Sequence, residues 1–288
     1  MSGRATTVHR VIQETTEKLN RCREKALARD IPTVDVERWL GVVRRCATLS
    51  PQANGPVVGR LGGPLMLPPD VPDPEYPLIA SLDLAALPQD ATDLPLPPDG
   101  QLLLFACPEA SAWGSEIPLG SAAYVPVGTT VEERWLDFSD TGEEFASYQE
   151  VSELQGELRL RYDISLPDHD DIIDKAEHPH AAELREVWGQ VRGEGLKVIG
   201  WDRLQIGGYA TDCGMDPVTS SAVSAARTER AGLRPGTGEA THPEDWVLLA
   251  EWHPSLPGWE DAVAHWSIRR QDAAARRFNR AYVSVFWF

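Results

Sequence analysis

The stretch Ile206–Pro217, IGGYATDCGMDP, places an adjacent glycine pair directly after an apolar run. Paired glycines adopt positive φ readily or allow close backbone approach, which a sharp turn out of a strand requires. A phosphate-binding loop would instead need Lys-Ser/Thr after the glycines, or GxGxxG between a strand and a helix, and the stretch has neither. It therefore predicts a structural turn at the edge of a sheet.

A second Gly-Gly pair follows a leucine at residues 61–63, and each pair introduces three short apolar runs in the same order. The runs are LIASLDL, QLLLFAC and AAYVPV in the first half, and WVLLAEW, AVAHWSI and AYVSVFWF in the second. Short apolar runs bounded by glycine and proline are typical of strands. The shared order predicts an internal duplication, with halves at about residues 59–130 and 200–288.

The remaining segments predict the other elements. Residues 7–30 have helical apolar spacing, and a second helix is expected from Asp35 through Cys46, ending before Pro51. GELRLRYDISLP predicts an alternating strand, and residues 181–192 predict a helix. Residues 219–245 have few large apolar side chains and predict an exposed, mobile loop. RQDAAARRF predicts a helix that crosses between the last two strands, as in a parallel strand–helix–strand unit.

Together these segments predict an α+β fold of internally duplicated, mostly antiparallel sheet modules, with flanking helices and an N-terminal helical pair. Residues 1–50 are expected to be helices packed on the body, and residues 51–288 to form the main domain. Because the final apolar run extends to the last residue, Trp287 and Phe288 are expected to be at least partly buried.

The composition argues against several classes of partner. The net charge is −17, from 27 basic and 44 acidic residues, which disfavours nucleic acid and anionic membrane surfaces. No apolar run is long enough to span a membrane, and MSGRATTVHR lacks the apolar region of a secretory signal. The four cysteines have no CxxC spacing and predict reduced thiols. We therefore expect a cytoplasmic protein.

Most of the chain, from Gly59 to the C-terminus, resembles the YwqG-like family, a bacterial domain of unknown function. The resemblance is carried, in order, by GRLGGPLMLPP, PLIASLDLAALP, DGQLLLFAC, SLPD, LQIGGYATDCGMDP, WVLLAEW and GWEDAVAHWSIRRQDAAARRF. It implies one α+β body with internal duplication and no agreed catalytic residues. Some relatives lie among toxin and immunity genes, so an immunity or regulatory role is one expectation.

The candidate metal site lies in an acidic, histidine-containing segment. Its residues are His169, Asp170, Asp174, His178 and His180. Imidazoles and carboxylates are ligands for divalent transition ions, so a metal here would indicate a hydrolase or lyase. The alternative is a solvated helix start, where acidic side chains interact favourably with the positive end of the helix dipole.

The candidate anion site is the one dense group of cations in the sequence. It comprises Arg269, Arg270, Arg276, Arg277 and Arg280, with Tyr209 and Asp212 as further candidate ligand contacts. Arginine pairs bidentately with carboxylates and phosphates, which would make the protein a binder of a small acidic ligand. The alternative is that these arginines only stabilise the C-terminus of a helix.

Sequence signatures of covalent catalysis are absent. No GxSxG motif occurs, and the neighbours of Cys213 include Asp212 and Asp216, whose charges raise a thiol pKa and disfavour the thiolate. We therefore expect a non-catalytic binding or interaction protein with a protein partner and no cofactor, rather than an enzyme. A metal-dependent hydrolase or lyase and a small acidic-ligand binder are the alternatives.

Overall fold

Ten strands of the chain join in one antiparallel sheet. The structure is a computed structural model and describes residues 2–107, 117–136, 150–151, 154–199, 203–232, 242–256 and 259–288. The strands are β1 (Arg44–Ser50), β2 (Val57–Leu61), β3 (Leu65–Leu67), β4 (Leu78–Asp83), β5 (Gln101–Ala106), β6 (Gly120–Val125), β7 (Glu132–Arg134), β8 (Gly156–Ser165), β9 (Arg203–Gly207), β10 (Trp246–His253), β11 (Ala262–Arg269) and β12 (Tyr282–Trp287).

The described helices lie between the strands and before the first strand. They are α1 (Ser2–Leu27), α2 (Thr33–Leu40), α3 (Ala181–Ile199), α4 (Pro217–Arg230) and α5 (Arg270–Ala274), with single-turn helices at Asp170–Ile172, Pro243–Asp245 and Phe278–Arg280. The chain is therefore a mixed helix and strand protein in which the sheet is the dominant element.

The strand order is β12-β11-β10-β9-β1-β8-β2-β4-β5-β6, and β3 pairs with β7 in a separate two-stranded sheet. On one side of the central β1–β8 pair, β9 to β12 follow one another as an antiparallel meander. On the other side, β2, β4, β5 and β6 do the same. The first strand of each meander leads into a Gly-Gly pair, and Gly62 and Gly207 both have positive φ, at 65° and 72°.

The two outer strands of the large sheet approach each other. The N–H of Leu119, next to β6, donates to the carbonyl of Val283 in β12 at 2.9 Å. From β11, the indole N–H of Trp266 reaches the carbonyls of Ser121 at 3.0 Å and Phe105 at 3.2 Å. The sheet is therefore nearly closed, and its inner face surrounds the main core.

The inner face is apolar because alternate residues of each strand point into it. Trp252 and Trp266 are fully buried there, together with Ile206 and Val285. Leu87 and Leu94, from the connection between β4 and β5, are buried in the same cluster. Each large side chain removed from water in this way contributes roughly 1.5–3 kcal/mol to folding.

The N-terminal helices pack with α3 and the end of β8 on the outer face of the sheet. Their shared apolar cluster includes Cys22, Trp39, Ile164 and Trp188, all of which are buried. A buried ion pair adds to this contact, since Nζ of Lys18 in α1 lies 2.5 Å from the Asp163 carboxylate in β8. Helix α1 is therefore attached to the sheet by both apolar and ionic contacts.

Several elements agree with the sequence and others differ. The strand expected in GELRLRYDISLP is confirmed as β8, and the helix expected over residues 181–192 is confirmed within α3. The helix expected to extend through Cys46 ends at Leu40, and residues 44–50 form β1. These residues are extended because β1 finds two antiparallel partners, β8 and β9, in the middle of the sheet.

Two further expectations were wrong, and a third holds for only one of its two residues. The loop expected over residues 219–245 contains most of α4, which begins after the Asp216 side chain caps the N–H of Thr219. Strands β11 and β12 are antiparallel, not parallel, because α5 is a helix of five residues and does not cross the sheet. Trp287 is partly buried as expected, but Phe288 is 61% exposed because it lies just beyond the end of β12.

Candidate functional site

A row of polar side chains crosses the outer face of the sheet. Strand register places each member opposite the next, from β8 through β1, β9, β10 and β11 to β12: Arg161, Thr48, Gln205, Glu251, His265 and Ser284. The row exists because successive residues of a strand point to opposite faces, so the apolar neighbours of these residues line the inner core. Helices cover this face, and the row is therefore largely buried.

Glu251 lies in this row and is fully buried. Its carboxylate accepts the backbone N–H of Thr211 at 2.6 Å and the Thr211 hydroxyl at 2.7 Å. Nε2 of His253 lies 2.6 Å from one carboxylate oxygen, and Nε2 of His265 lies 3.3 Å from the other. A guanidinium nitrogen of Arg192 is 3.6 Å away. Both oxygens are therefore occupied by groups of the protein itself.

Burial and mutual contacts shift the pKa values of Glu251 and His253. Burial by itself raises the pKa of Glu251, but His253 and His265 outweigh it and hold that pKa well below its ordinary value. Burial lowers the pKa of His253 to about 4, against the opposing effect of Glu251. A general acid or base works best with a pKa near the working pH. At pH 7 Glu251 stays ionised and His253 stays neutral.

The glycine-containing stretch at residues 206–217 passes over this cluster. Gly208 has φ 81°, and a Cβ at that position would lie 2.8 Å from the Cβ of Ser165 and 3.0 Å from that of Cys46. The Tyr209 hydroxyl donates to the carbonyl of Val42 at 2.9 Å. The stretch therefore provides a tight turn, and then a segment that hydrogen bonds attach to β10 and to the N-terminal region.

Cys213 lies in the same stretch and is buried. Burial raises the pKa of its thiol far above the ordinary value, and the carboxylates of Glu251 and Asp212 raise it further. A nucleophilic cysteine needs a cationic neighbour that favours the thiolate, and here carboxylates favour the neutral thiol. Burial and the nearby carboxylates therefore both favour the neutral thiol at Cys213.

The cluster reaches solvent on one side through two aspartates. Arg192 pairs with Asp168 at 3.2 Å and donates to the Thr211 hydroxyl at 2.9 Å. Nε2 of His169 lies 3.8 Å from the Asp212 carboxylate, whose side chain is 43% exposed. The predicted contact residues Tyr209 and Asp212 therefore border the buried cluster, and Tyr209 also places its ring 4.1 Å from the Arg44 guanidinium.

The other predicted metal ligands have separate partners. Asp170 pairs with Arg185 and with Lys175, the latter at 3.0 Å. The remaining contacts are Asp174 with the N–H of Ala176, His178 with the ring of Trp39, and His180 with the carboxylates of Asp35 and Glu183. Within the described ranges, no group of three or more His, Cys, Asp and Glu side chains could hold a metal ion.

The five predicted anion-binding arginines also contact this chain. Arg269 is buried, pairs with Glu229 at 2.9 Å and lies over the Trp246 ring. The others lie near α5: Arg277 and Arg280 are 2.7 and 3.9 Å from Asp272, Arg270 donates to the Asp93 carbonyl, and Arg276 lies over the Tyr124 ring. Arg269 is therefore a buried residue of the sheet, whereas the other four arginines lie near the surface around α5.

A second candidate site is a shallow surface groove of about 480 Å³, here called the Trp135 groove. It is lined by Pro69, Val71, Pro72, Asp73, Glu132, Arg134 and Trp135. Trp135 is 80% exposed, the highest value among the large hydrophobic side chains that the structure describes. Exposure to this degree is unusual for a tryptophan, most of whose surface is normally buried.

Arg134 holds the two walls of the groove together. It donates to the carbonyls of Val71 at 2.5 Å and Pro68 at 2.8 Å. It also pairs with Asp73 at 2.9 Å and Glu132 at 3.2 Å. The Arg134 side chain is only 14% exposed, and its bonds join the two segments of the groove in a defined arrangement.

Sequence reasoning missed this groove. From the sequence, the tryptophans expected to be most exposed are those beside glycine or polar residues, Trp113, Trp201 and Trp259. The first two lie outside the described residues, and Trp259 is partly buried against Trp287, with ring centroids 5.0 Å apart. The available signal was the run EERWL, in which Trp135 follows three charged residues and continues no apolar pattern.

Comparison with known proteins places most of the chain in one family. Residues 59–285 match the domain of unknown function DUF1963, from within β2 to within β12. No curated protein is significantly similar to the chain. In the part of the chain that the structure describes, no helix has both the length and the apolar character needed to cross a bilayer. The chain belongs to the DUF1963 family.

Proposed function

We propose that the protein is a non-catalytic binding protein and that the Trp135 groove is its contact surface. The observation that carries the proposal is the 80% exposure of Trp135 beside Pro69, Val71 and Pro72. Tryptophan is enriched among residues that dominate binding energy, because it buries a large rigid surface when a partner covers it. Since Arg134 already fixes the groove, a partner would meet a preorganised surface.

The buried cluster supports the non-catalytic part of the proposal. The Glu251 carboxylate is occupied by Thr211, His253 and His265, and Cys213 remains a neutral thiol. These groups hold the glycine-containing stretch in place instead of facing a substrate. Their chemistry is that of a buried network of hydrogen bonds and ion pairs, which stabilises one conformation.

Capture of a partner by the intact protein tests the function. Wild type, Trp135→Ala and Val34→Ala would be immobilised and exposed to extract from cells that express the protein naturally. Val34 is 62% exposed in α2 and provides a matched loss of exposed apolar surface. We expect a stoichiometric partner on wild type and Val34→Ala that Trp135→Ala fails to retain. Retention by all three proteins would contradict the proposed surface.

Several finer assignments belong to the same proposal. We propose that the family is the YwqG-like family, that the protein acts as an immunity or regulatory partner of another protein, and that it works in the cytoplasm. The resemblance in sequence supports the first two assignments. The four cysteines support the third, because all are buried and without disulfides.

We also propose that the two meanders arose by internal duplication, and that the N-terminal helices are an addition packed on the duplicated body. The strand order supports the duplication, because it is symmetric about the β1–β8 pair. The matching Gly-Gly pairs after β2 and β9 support it as well. The family match, which begins at residue 59, supports the separation of the N-terminal helices.

A further inference from the structure

We infer that the partner presents a cationic, arginine-bearing segment, with one guanidinium stacked on Trp135 and hydrogen-bonded to the carboxylates of Asp73 and Glu132. This inference rests on the proposed function and names the chemistry of the partner at the same groove. It follows from the charge of the groove, from the exposure of its carboxylates and from the nature of its aromatic side chain.

The groove carries an excess of negative charge. Its lining includes two carboxylates, those of Asp73 and Glu132, and one cation, Arg134. The neighbouring residues Asp70, Glu75 and Glu133 add three more carboxylates to the same two segments of the sequence. The whole chain carries a net charge of −17, so its long-range field has the same sign and favours the approach of a cationic partner.

The carboxylates that line the groove keep much of their surface in water. The side chains of Asp73 and Glu132 are 66% and 53% exposed, although both contact Arg134. Arg134 itself is only 14% exposed and divides its donors between these carboxylates and two backbone carbonyls. The exposed surfaces of both carboxylates can therefore accept hydrogen bonds from a second cation without displacing Arg134.

Trp135 favours arginine over other cations. Among the aromatic side chains, tryptophan gives the strongest cation–π attraction. A guanidinium can stack flat on an indole while its edge donates to carboxylates, whereas an ammonium offers only a point charge. The side chains of Pro69, Val71 and Pro72 offer apolar contact for the methylene stem of the arginine. An acidic or uncharged segment would lack most of these interactions.

The test follows the indole N–H resonance of Trp135 in the full-length protein, assigned by its loss in Trp135→Phe. The probes are capped pentapeptides Gly-Arg-Gly-Arg-Gly, Gly-Lys-Gly-Lys-Gly, Gly-Ala-Gly-Ala-Gly and Gly-Glu-Gly-Glu-Gly at low salt. We expect a saturable shift with the arginine peptide, with affinity about threefold higher than for the lysine peptide. The alanine and glutamate peptides should leave the resonance unchanged.

Charge variants distinguish binding at the Trp135 groove from nonspecific electrostatic attraction to an acidic protein. Asp73→Asn/Glu132→Gln should weaken arginine-peptide binding about fivefold, since exposed ion pairs each contribute little to the free energy of binding. Glu183→Gln/Glu186→Gln removes the same charge from α3, where the side chains are 52% and 70% exposed, and should leave the affinity unchanged. Equal weakening by both double variants, or equal binding of the alanine peptide, would overturn the inference.

Two further outcomes separate this inference from the proposed function. If Trp135→Ala loses the native partner while Asp73→Asn/Glu132→Gln retains it at full affinity, the function stands and the arginine inference fails. If the Trp135 resonance shifts with protein concentration alone, and sedimentation shows a dimer that Trp135→Ala abolishes, the occupant is a second copy of this chain. That result would also overturn the inference.

Discussion

The backbone N–H of Thr211 donates a 2.6 Å hydrogen bond to the buried carboxylate of Glu251, across 40 residues of sequence. Together with the bond from the Thr211 hydroxyl, it attaches the glycine-containing stretch to the middle of β10. This attachment lies on the outer face of the sheet, where a second buried carboxylate, Asp163, holds helix α1 through Lys18. Polar contacts on that face therefore position the segments that surround the sheet.

Replacement of Glu251 by Gln should destabilise the protein by about 2–4 kcal/mol, because an amide NH₂ would face a donor and the nearby Arg192 would lose a compensating charge. Urea unfolding measures the effect. Glu183→Gln, which neutralises a carboxylate that is 52% exposed, is the control and should change the stability by less than about 0.5 kcal/mol. Equal stability of Glu251→Gln and wild type would show that the carboxylate is not an anchor.

Stability should fall as the pH drops from about 6.5 to about 4. Burial lowers the pKa of His253 from 6.5 to about 4, so in this window the unfolded chain binds a proton that the folded protein does not. Unfolding is then favoured at lower pH, by at most about 3 kcal/mol across the window. The groups facing His253 are Glu251, Arg203 and Arg192.

Unfolding by urea at a series of pH values checks this prediction. His253→Gln should remove the slope between pH 6.5 and 4, whereas His180→Gln, whose side chain is 34% exposed, should preserve it. Glu251 has a lowered pKa and adds its own loss of stability only at still lower pH. A slope unchanged in His253→Gln would assign the dependence to another group.

Loss of the Lys18 side chain should destabilise the protein by about 3–5 kcal/mol, because Asp163 would remain buried without its partner. Lys18→Ala is compared with Lys25→Ala on the same helix. Lys25 is 39% exposed and pairs with Glu194 at 3.3 Å, so its loss should cost about 0.5 kcal/mol. Chemical denaturation measures both, and similar losses in the two variants would contradict an anchoring role for Lys18.

Two effects should destabilise a substitution at Gly208, the crowding around its Cα and its positive φ, and a pair of variants separates them. Gly208→Ala introduces a Cβ within 3.0 Å of Ser165 and Cys46, whereas Gly214→Ala, at φ 77°, meets nothing within 4 Å. Both variants place alanine in the left-handed region, which should lower the free energy of unfolding by about 1 kcal/mol in each. Only Gly208→Ala should lose a further amount, about 1–3 kcal/mol, because the added methyl group overpacks the site. Thermal melts that show equal losses would mean that the turn relaxes around the extra methyl group.

The four thiols should react slowly in the folded protein. All four are buried, burial raises the pKa of Cys22 to about 11, and burial with nearby carboxylates raises the pKa of Cys213. We expect almost no labelling by a disulfide reagent at pH 8 until urea unfolds the chain. Rapid labelling of one thiol per chain, lost in Cys213→Ser, would point to a reactive cysteine and against the non-catalytic proposal.

Local patterns in the sequence predict the strands of both meanders. Runs such as WVLLAEW and QLLLFAC are short, apolar and bounded by glycine or proline, and the structure forms β10 and β5 there. The signal for α4 was also local, because Asp216-Pro217 is a good helix start, but the small side chains that follow concealed it. By contrast, β1 carries little signal of its own, and its conformation depends on pairing with β8 and β9.

The sequence by itself determined the apolar alternation that sends Trp252 and Trp266 to one face of the sheet and Glu251 and His265 to the other. Tertiary structure alone decided that Glu251 meets Thr211, and that Trp135 remains in solvent in the same groove as Asp73. The reason is physical: alternation is a property of one strand, whereas these contacts join distant segments through strand register, loop path and the packing of helices on the sheet.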